Sequence, residues 1–359
     1  MVPTSDVMNG KRNLLSKWGL LFIIFSTSSS CAFLHAQDRF RVASYNVENL
    51  FDTKDNPEKD DDEFLPKGMM KWNDSKYWTK LRNITRVITA IGEMESPALV
   101  GLVEVENDSV LHDLTKRSPL RAQKYEYMCT HSPDVRGVNV GFLYQRDKFK
   151  LLGKNEYRVN PPEKNGRPTR NILHVSGRVI SGDTLDVFVC HFPSRRDGQI
   201  ASEPYRMAAA KVLKTKTDSL FAIRSSANIL IMGDFNDQPA DKSLSVVLGA
   251  GSMLGQNISK HQLVNTFLHR LGEKDFGTYK FQGEWDLIDQ FIVSGNLLSD
   301  SSSISLVKDS PRIFHPEFLQ EKDSAYGGFK PFRTNSGPNY LGGFSDHFPI
   351  VLDLIVREE

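Results

Sequence analysis

The chain has 359 residues, of which 39% are hydrophobic and 25% charged, which is ordinary for a globular protein with a large core. A net charge of +1 excludes the broad basic surface that drives non-specific nucleic-acid binding, so any activity on nucleic acid must depend on local contacts and metal ions. The length allows two domains or one large α/β or all-β domain. Because no linker or long repeat divides the chain after residue 36, we expect a single domain over residues 37–359.

Residues 1–36 have the pattern of an export signal. Lys11, Arg12 and Lys17 precede the apolar run WGLLFIIF, which is too short to span a bilayer. Small residues follow and predict cleavage after Ala36, whereas a buried N-terminal helix is the alternative. We therefore expect an exported protein. Loss of the leader changes the net charge from +1 to −1, because it carries three basic residues and one acidic residue.

Three cysteines bear on location and fold. Cys31 follows three serines, and its lipidation would make the protein an outer-membrane lipoprotein rather than a free periplasmic or extracellular one. Cys129 and Cys190 remain after cleavage, and export permits a disulfide between them without implying one. Cys190 ends the apolar run LDVFVC, which favours a buried free thiol.

Strand-like segments rich in β-branched and aromatic residues recur along the chain. In order, they cover residues 40–47, 98–105, 138–144, 171–180, 184–192, 227–235, 288–294 and 347–356. Helical spacing predicts one helix over 75–93, from an N-cap at Ser75 to Gly92, and another over 203–223 with Pro204 near its start. Many strands with few long helices predict an α/β fold of two packed sheets flanked by helices.

Two long segments lack a regular pattern. Residues 52–74 are acidic and rich in turn formers, and residues 309–345 are rich in Gly, Pro and aromatic residues. Irregular segments of this length in a compact domain are usually functional or mobile. The acids clustered at 55–66 fit either a solvated loop or a structural Ca²⁺ site.

Polar residues stand at the ends of several predicted strands. Each one alone is most simply explained as a turn, surface or buried residue. Together they predict a site at one sheet edge, because carboxylate and amide oxygens without cysteine suit Mg²⁺ or Mn²⁺, and histidines beside carboxylates suit acid–base chemistry. Hydrolysis of a phosphoester requires such a set. The residues are Asn46, Glu104, His191, Asp234, Asn236, Asp289, Asp346 and His347.

The ordered motifs YNVEN, LVEVEN, CHFPSRR, GDFND, LIDQFIVS and SDHFPI resemble those of the endonuclease/exonuclease/phosphatase family over about 40–356. The resemblance implies a four-layer α/β sandwich of two packed, mostly antiparallel sheets flanked by helices, with the site at one edge. It implies Glu104 as the principal ligand of a Mg²⁺ or Mn²⁺ ion, with Asn46 beside it and Asp346 as a further contact.

The same resemblance implies catalytic roles. Asp234 would orient or activate water, Asn236 would donate to the phosphate, and His191 would stabilise the transition state or assist the leaving group. His347 would act as base or phosphate donor with Asp289 as its partner. Asp286 is the alternative partner, but Asp289 directly precedes the apolar strand.

Four more residues are candidates for binding the substrate phosphate. Arg195 and Arg196 follow His191, and a guanidinium binds phosphate through two hydrogen bonds. Asn139 and Arg170 fall where substrate-side groups could lie, and a strand-edge amide and a surface cation explain them equally well.

These features predict a phosphodiesterase, most simply a nuclease acting as a monomer without an obligate protein partner. The alternative is a phosphatase or a phospholipase C-like enzyme acting on sphingomyelin or inositol phosphates. A binding module without activity is disfavoured, because every expected ligand is present.

Overall fold

The computed structural model describes residues 39–196, 198–254 and 257–357. The predicted leader, its cleavage site after Ala36 and Cys31 lie outside the described residues. Within those ranges, no helix is both long and apolar enough to cross a membrane.

Strands dominate the part of the chain that the structure describes. Their bounds, in chain order, are β1 Arg39–Leu50, β2 Leu99–Val105, β3 Glu126–Cys129, β4 Asn139–Tyr144, β5 Lys150–Tyr157, β6 Ile172–Arg178, β7 Thr184–His191, β8 Asn228–Asp234, β9 Gly251–Ser252, β10 Leu263–Asn265, β11 Tyr279–Phe281, β12 Glu284–Asp286, β13 Asp289–Ser294, β14 Ile304–Leu306, β15 Arg312–Ile313, β16 Gln320–Lys322, β17 Phe329–Pro331, β18 Asn335–Ser336, β19 Asn339–Tyr340 and β20 Ile350–Val356.

Two mixed, mostly antiparallel sheets form the centre of the fold. The first has the order β14-β20-β1-β2-β4-β3, with β15 also on β20, and the second has the order β5-β6-β7-β8-β13-β10-β9. Pairing is parallel between β1 and β2 and between β7 and β8. The sheets pack face to face through β1, β2 and β4 on one side and β7 and β8 on the other. The predicted α/β sandwich is therefore confirmed.

Burial explains why these strands lack strict polar alternation. In β2 and β8 almost every residue is buried, because one face lies against the other sheet and the opposite face is covered. Cys129 and Cys190 are buried free thiols, as expected for Cys190, and burial raises the pKa of both.

The helices differ from the prediction mainly at their ends. Helix α1 covers Asp74–Gly92, and its N-cap is Asn73 rather than Ser75, because the Asn73 side chain accepts the N–H of Lys76 at 3.1 Å. A short helix, α2, covers Asp108–His112. Helix α3 covers Gln199–Ile223 and begins four residues earlier than predicted, which places Pro204 inside it.

The segment 309–345 is less irregular than expected. It contains β15 and the two short hairpins formed by β16 with β17 and by β18 with β19. The buried Lys80 of α1 holds this segment, because its ammonium donates to Thr334 Oγ1 and, at 2.8 Å, to the carbonyl of Phe344. Tyr340 of this segment packs edge-on against Trp72.

Candidate active site

The strand ends that carry the predicted polar residues meet at one edge of the packed sheets. Strands β1, β2, β7 and β8 end at this edge, whereas β13 and β20 begin there, because they run antiparallel to β8 and β1. Asp234 is in register with His191 on one side and with Asp289 on the other. The topology therefore brings these three residues together.

Close approach of β8 to β7 depends on Gly233. Its φ is 139°, and a Cβ at this position would lie 1.9 Å from the carbonyl oxygen of Cys190. Only glycine fits, since it lacks a Cβ and tolerates positive φ. The glycine of the GDFN motif thus allows Asp234 to lie beside His191, with 3.8 Å between Oδ2 and Nε2.

His347 and Asp289 form a buried pair. Nδ1 of His347 lies 2.7 Å from Oδ2 of Asp289, and the ring of Tyr279 tilts against the imidazole at 4.9 Å. Burial disfavours the imidazolium, but the carboxylates of Asp289, Asp346 and Asp234 together outweigh it, with Asp289 contributing most, and hold the pKa of His347 well above its ordinary value. Asp286 is not in this pair; it accepts from Gln238 at 2.8 Å.

Asn46 and Asn236 fix the two oxygens of Asp234. Asn46 Nδ2 donates to Oδ2 at 3.1 Å, and the backbone N–H of Asn236 donates to Oδ1 at 2.8 Å. The Asn236 side chain also donates to the carbonyl of Phe192 at 3.1 Å. An amide nitrogen carries two hydrogens, so one remains available for a phosphate oxygen.

Glu104 faces His191 from the opposite sheet. Its Oε1 lies 4.0 Å from His191 Nε2, and its Oε2 accepts the N–H of Asn49 at 2.8 Å. Glu104 and Asn236 have φ angles of 66° and 50°, which non-glycine residues rarely adopt. Such strained residues cluster at functional sites, where the surrounding structure enforces them.

The chemistry of this centre fits a hard divalent cation. One ligand atom from each of Asp234, Asp289 and His347 lies within 4.8 Å of the others. Burial, and then the charge of Asp289, raises the pKa of Asp234 to about 7. Oδ1 of Asp289 is buried and has no hydrogen-bond partner among the described residues. Carboxylate oxygens without a thiolate suit Mg²⁺ or Mn²⁺.

The three predicted metal ligands differ in how they face the centre. Glu104 presents Oε1 to it. Asp346 lies beside His347 but accepts from Arg333 at 2.9 Å. Asn46 presents its amide nitrogen, and its oxygen accepts the N–H of Glu48 at 2.9 Å, so binding a metal through that oxygen requires the amide to turn.

His191 is held neutral in this structure. Burial, and then the charges of Arg170 and Arg136, lowers its pKa well below the ordinary value. Its Nδ1 is buried and lacks a hydrogen-bond partner among the residues described. One ring nitrogen therefore faces the carboxylates and the other faces away from them.

The predicted phosphate-binding arginines occupy different positions. Arg195 lies behind the Asn236 loop, where its Nε donates to the carbonyl of Asn236 at 2.6 Å. Arg196 is exposed. Arg170 is mostly buried and donates to the carbonyl of Phe192 at 2.6 Å.

Asn139 requires a correction, because its amide is fully used inside the protein. Its oxygen accepts from Thr130 and Ser132, and its nitrogen donates to the carbonyls of Glu106 and Gly137, over 2.6–3.3 Å. It therefore positions the loop before β4 and has no free group for a phosphate.

Sequence reasoning missed three residues of the site. Glu48 accepts the N–H groups of Thr334 and Asn335 and so anchors the segment 309–345. Arg136 donates to Asn49 at 2.8 Å. Tyr279 packs on the ring of His347. Glu48 closely follows Asn46 in YNVEN, which could have identified it. Neither Arg136 nor Tyr279 ends a predicted strand, so no signal identified them.

A second acidic cluster lies in the loop after β1. One carboxylate oxygen from each of Asp55, Asp61 and Asp62 lies within 4.8 Å of the others. Asp61 is only 2% exposed, and its Oδ1 is buried and lacks a hydrogen-bond partner in the described part of the chain.

The fold and the site together define a phosphohydrolase. Hydrolysis of a phosphoester requires a fixed carboxylate near the attacking water, a histidine–carboxylate pair, a neutral histidine and oxygen ligands for a cation. The comparisons with known proteins agree with this class.

Residues 41–356 match the sequence profile of the Endonuclease/Exonuclease/phosphatase family, and the chain belongs to this family. Its members hydrolyse phosphoric esters and typically use divalent metals. A search of the curated proteins finds no match.

Several solved structures share the fold at low sequence identity. A family protein from Bacteroides thetaiotaomicron is 16% identical at a TM-score of 0.54, with 89% of this chain and 95% of that chain covered. The mannosyl-6-phosphatase of B. thetaiotaomicron VPI-5482 is 17% identical at 0.53, with coverage of 88% and 99%. The D. rerio TDP2 complex with a single-strand DNA product is 16% identical at 0.52, with coverage of 88% and 99%.

Proposed function

We propose that the protein is an exported, Mg²⁺- or Mn²⁺-dependent phosphodiesterase that cleaves nucleic acid by in-line attack of water. The reaction type rests on one observation: Asp234, His191 and the His347–Asp289 pair meet at one buried sheet edge. Export rests on the leader pattern of residues 1–36. A monomer without an obligate protein partner completes the proposal.

The side chains divide the work by the contacts they make. Asp234 orients the attacking water, because both of its oxygens are fixed by Asn46 and Asn236. Asp289 keeps a hydrogen on Nδ1 of His347, which directs Nε2 of that ring toward the substrate. His191 flanks the phosphate from the other side. A bound divalent cation would neutralise the charge that develops on the phosphate oxygens.

The structural neighbours support two substrate classes. The neighbour solved with a DNA product supports nucleic acid. The mannosyl-6-phosphatase supports the alternative, a phosphatase acting on a phosphomonoester. A phospholipase C-like activity on sphingomyelin or inositol phosphates uses the same chemistry.

A metal-dependence screen distinguishes these substrates. Purified protein is assayed with Mg²⁺, Mn²⁺ or EDTA against plasmid DNA, RNA, sphingomyelin, inositol phosphates and mannose 6-phosphate, with Asp234→Asn as the blank. We expect metal-dependent cleavage of DNA or RNA that the variant lacks. Cleavage of only a phosphomonoester or a lipid selects the alternative, and full activity of Asp234→Asn refutes the assigned chemistry.

We also propose a structural Ca²⁺ at Asp55, Asp61 and Asp62. Three carboxylates with oxygens within 4.8 Å of one another repel, and the buried, unpartnered oxygen of Asp61 lacks the counter-charge that a cation would provide.

A further inference from the structure

An arginine-lined pocket opens beside the catalytic residues. It has a cavity volume of about 90 Å³, and it lies between the segment that follows β7, the segment that precedes β6 and the start of α3. The lining residues on which the inference depends are Asp134, Arg136, Arg167, Thr169, Arg170 and Arg196.

The lining has excess positive charge. Four arginines face one carboxylate, that of Asp134, which lies 3.3 Å from Arg170. Arg167 and Arg196 are exposed, so their guanidinium groups are accessible from solvent. Guanidinium groups bind phosphate through paired hydrogen bonds, so the charge and its geometry suit a phosphate.

Two buried donors in the lining lack partners within the described chain. They are Oγ1 of Thr169 and Nε of Arg170, and Thr169 is only 4% exposed. Leaving a buried polar group unpaired is unfavourable, so such donors usually mark a ligand or a bound water. A hydroxyl and a guanidinium N–H both donate to a phosphate oxygen.

The pocket connects directly to the catalytic centre. Arg170 and Asn236 donate to the same oxygen, the carbonyl of Phe192, at 2.6 and 3.1 Å. The donor nitrogens of Arg170 and Asn236 therefore lie within about 6 Å of each other. On the other side, Arg136 donates to Asn49, whose N–H donates to Glu104.

We propose that this pocket binds a second phosphate group of the substrate, so that the preferred substrate is a phosphoester carrying another phosphate close to the one that is hydrolysed. The inference rests on the proposed phosphodiesterase activity and names a recognition element for it. The pocket is too near the centre to belong to a separate ligand, and its charge matches a phosphate better than a sugar or a lipid chain.

The test uses two chromogenic esters that differ only in the second phosphate. They are thymidine 5′-(4-nitrophenyl phosphate) with and without a 3′-phosphate, assayed through release of 4-nitrophenolate with Mg²⁺ or Mn²⁺. We expect kcat/KM to be at least about tenfold higher with the 3′-phosphate, since each charged hydrogen bond lost costs about that factor. In Arg167→Ala and Thr169→Val this ratio should fall toward one.

Arg178→Ala is the matched control, because Arg178 is exposed and ends β6 about 20 Å from the pocket end of that strand. It should retain the wild-type ratio. Equal kcat/KM for the two esters, or a preference that Arg167→Ala leaves intact, overturns the pocket while the proposed function stands.

Failure to hydrolyse either ester counts against the proposed function instead. Titration calorimetry with thymidine 3′,5′-bisphosphate and thymidine 5′-phosphate then tests the pocket alone. Tighter binding of the bisphosphate, lost in Arg167→Ala, supports the pocket, and equal affinities refute it.

Discussion

Replacement of Asp289 by Asn tests the assigned partner of His347. Asp289 is 1% and His347 7% exposed, so solvent screens their 2.7 Å contact weakly. A charged hydrogen bond contributes about 1.5–3 kcal/mol, and an amide oxygen would preserve a weaker neutral one. We therefore expect kcat to fall about 10- to 100-fold, with KM changed less than about threefold. The substitution disturbs the orientation of the His347 ring but removes no contact with the substrate.

Asp286→Asn is the control, since the sequence left this residue as the alternative partner. Asp286 contacts Gln238 and lies 3.4 Å from Arg195, away from the imidazole. Steady-state kinetics should show less than about a threefold loss, and melting temperatures should confirm that both variants are folded. If Asp286→Asn is the impaired enzyme and Asp289→Asn retains wild-type kcat, the assignment of the pair is wrong.

Three further predictions concern stability. Ca²⁺ should raise the melting temperature of wild type by a few degrees but not that of Asp61→Asn, with Asp60→Asn as the control; an equal rise in Asp61→Asn would exclude the site. Burial, and then the charge of Arg224, which pairs with the Asp186 carboxylate 3.0 Å from His174 Nε2, lowers the pKa of His174 from 6.5 to about 4, so the unfolded chain takes up a proton first as the pH falls. Stability should thus decrease from about pH 6.5 downward, by about 2 kcal/mol at pH 5 in urea unfolding, and His174→Gln should lose this component; an unchanged pH dependence would contradict it. Lys80→Met should destabilise the fold by about 3–5 kcal/mol because it removes one of the two cations near buried Glu48 and leaves only Arg333, 3.6 Å away; Glu48→Gln in the same chain should recover part of the loss, and simple additivity of the two substitutions would argue against coupling.

The sequence predicted the residues that stand directly at strand ends. Register explains this success, because one strand ending in Asp234 and an antiparallel one beginning with Asp289 must place the two side by side. The same logic favoured Asp289 over Asp286. The resemblance to a family supplied the roles, which composition and spacing do not contain.

Residues that reach the site from outside the predicted strands escaped prediction. Arg136 lies in a turn and Tyr279 begins the short strand β11, and the position of both depends on tertiary packing that no local pattern encodes. Asn139 was misjudged for the converse reason: it begins β4, but its amide is used inside the protein, by Thr130, Ser132 and Gly137 of the preceding loop and by the carbonyl of Glu106 after β2. Arg206 follows Arg195 and Arg196 in the sequence, but it is fully buried, and its Nε lies 2.6 Å from Oδ1 of Asp237.

The left-handed backbone of Glu104 and Asn236 lowers the stability of the fold while it positions two side chains of the candidate active site. Each such conformation costs a non-glycine residue about 1 kcal/mol, which glycine would not incur. Glycine at either position should therefore relieve strain while removing a side chain to which the proposed mechanism assigns a role. A screen of variants for higher melting temperature alone would therefore favour glycine at these positions and so select inactive variants. Stabilising substitutions are better sought away from this sheet edge.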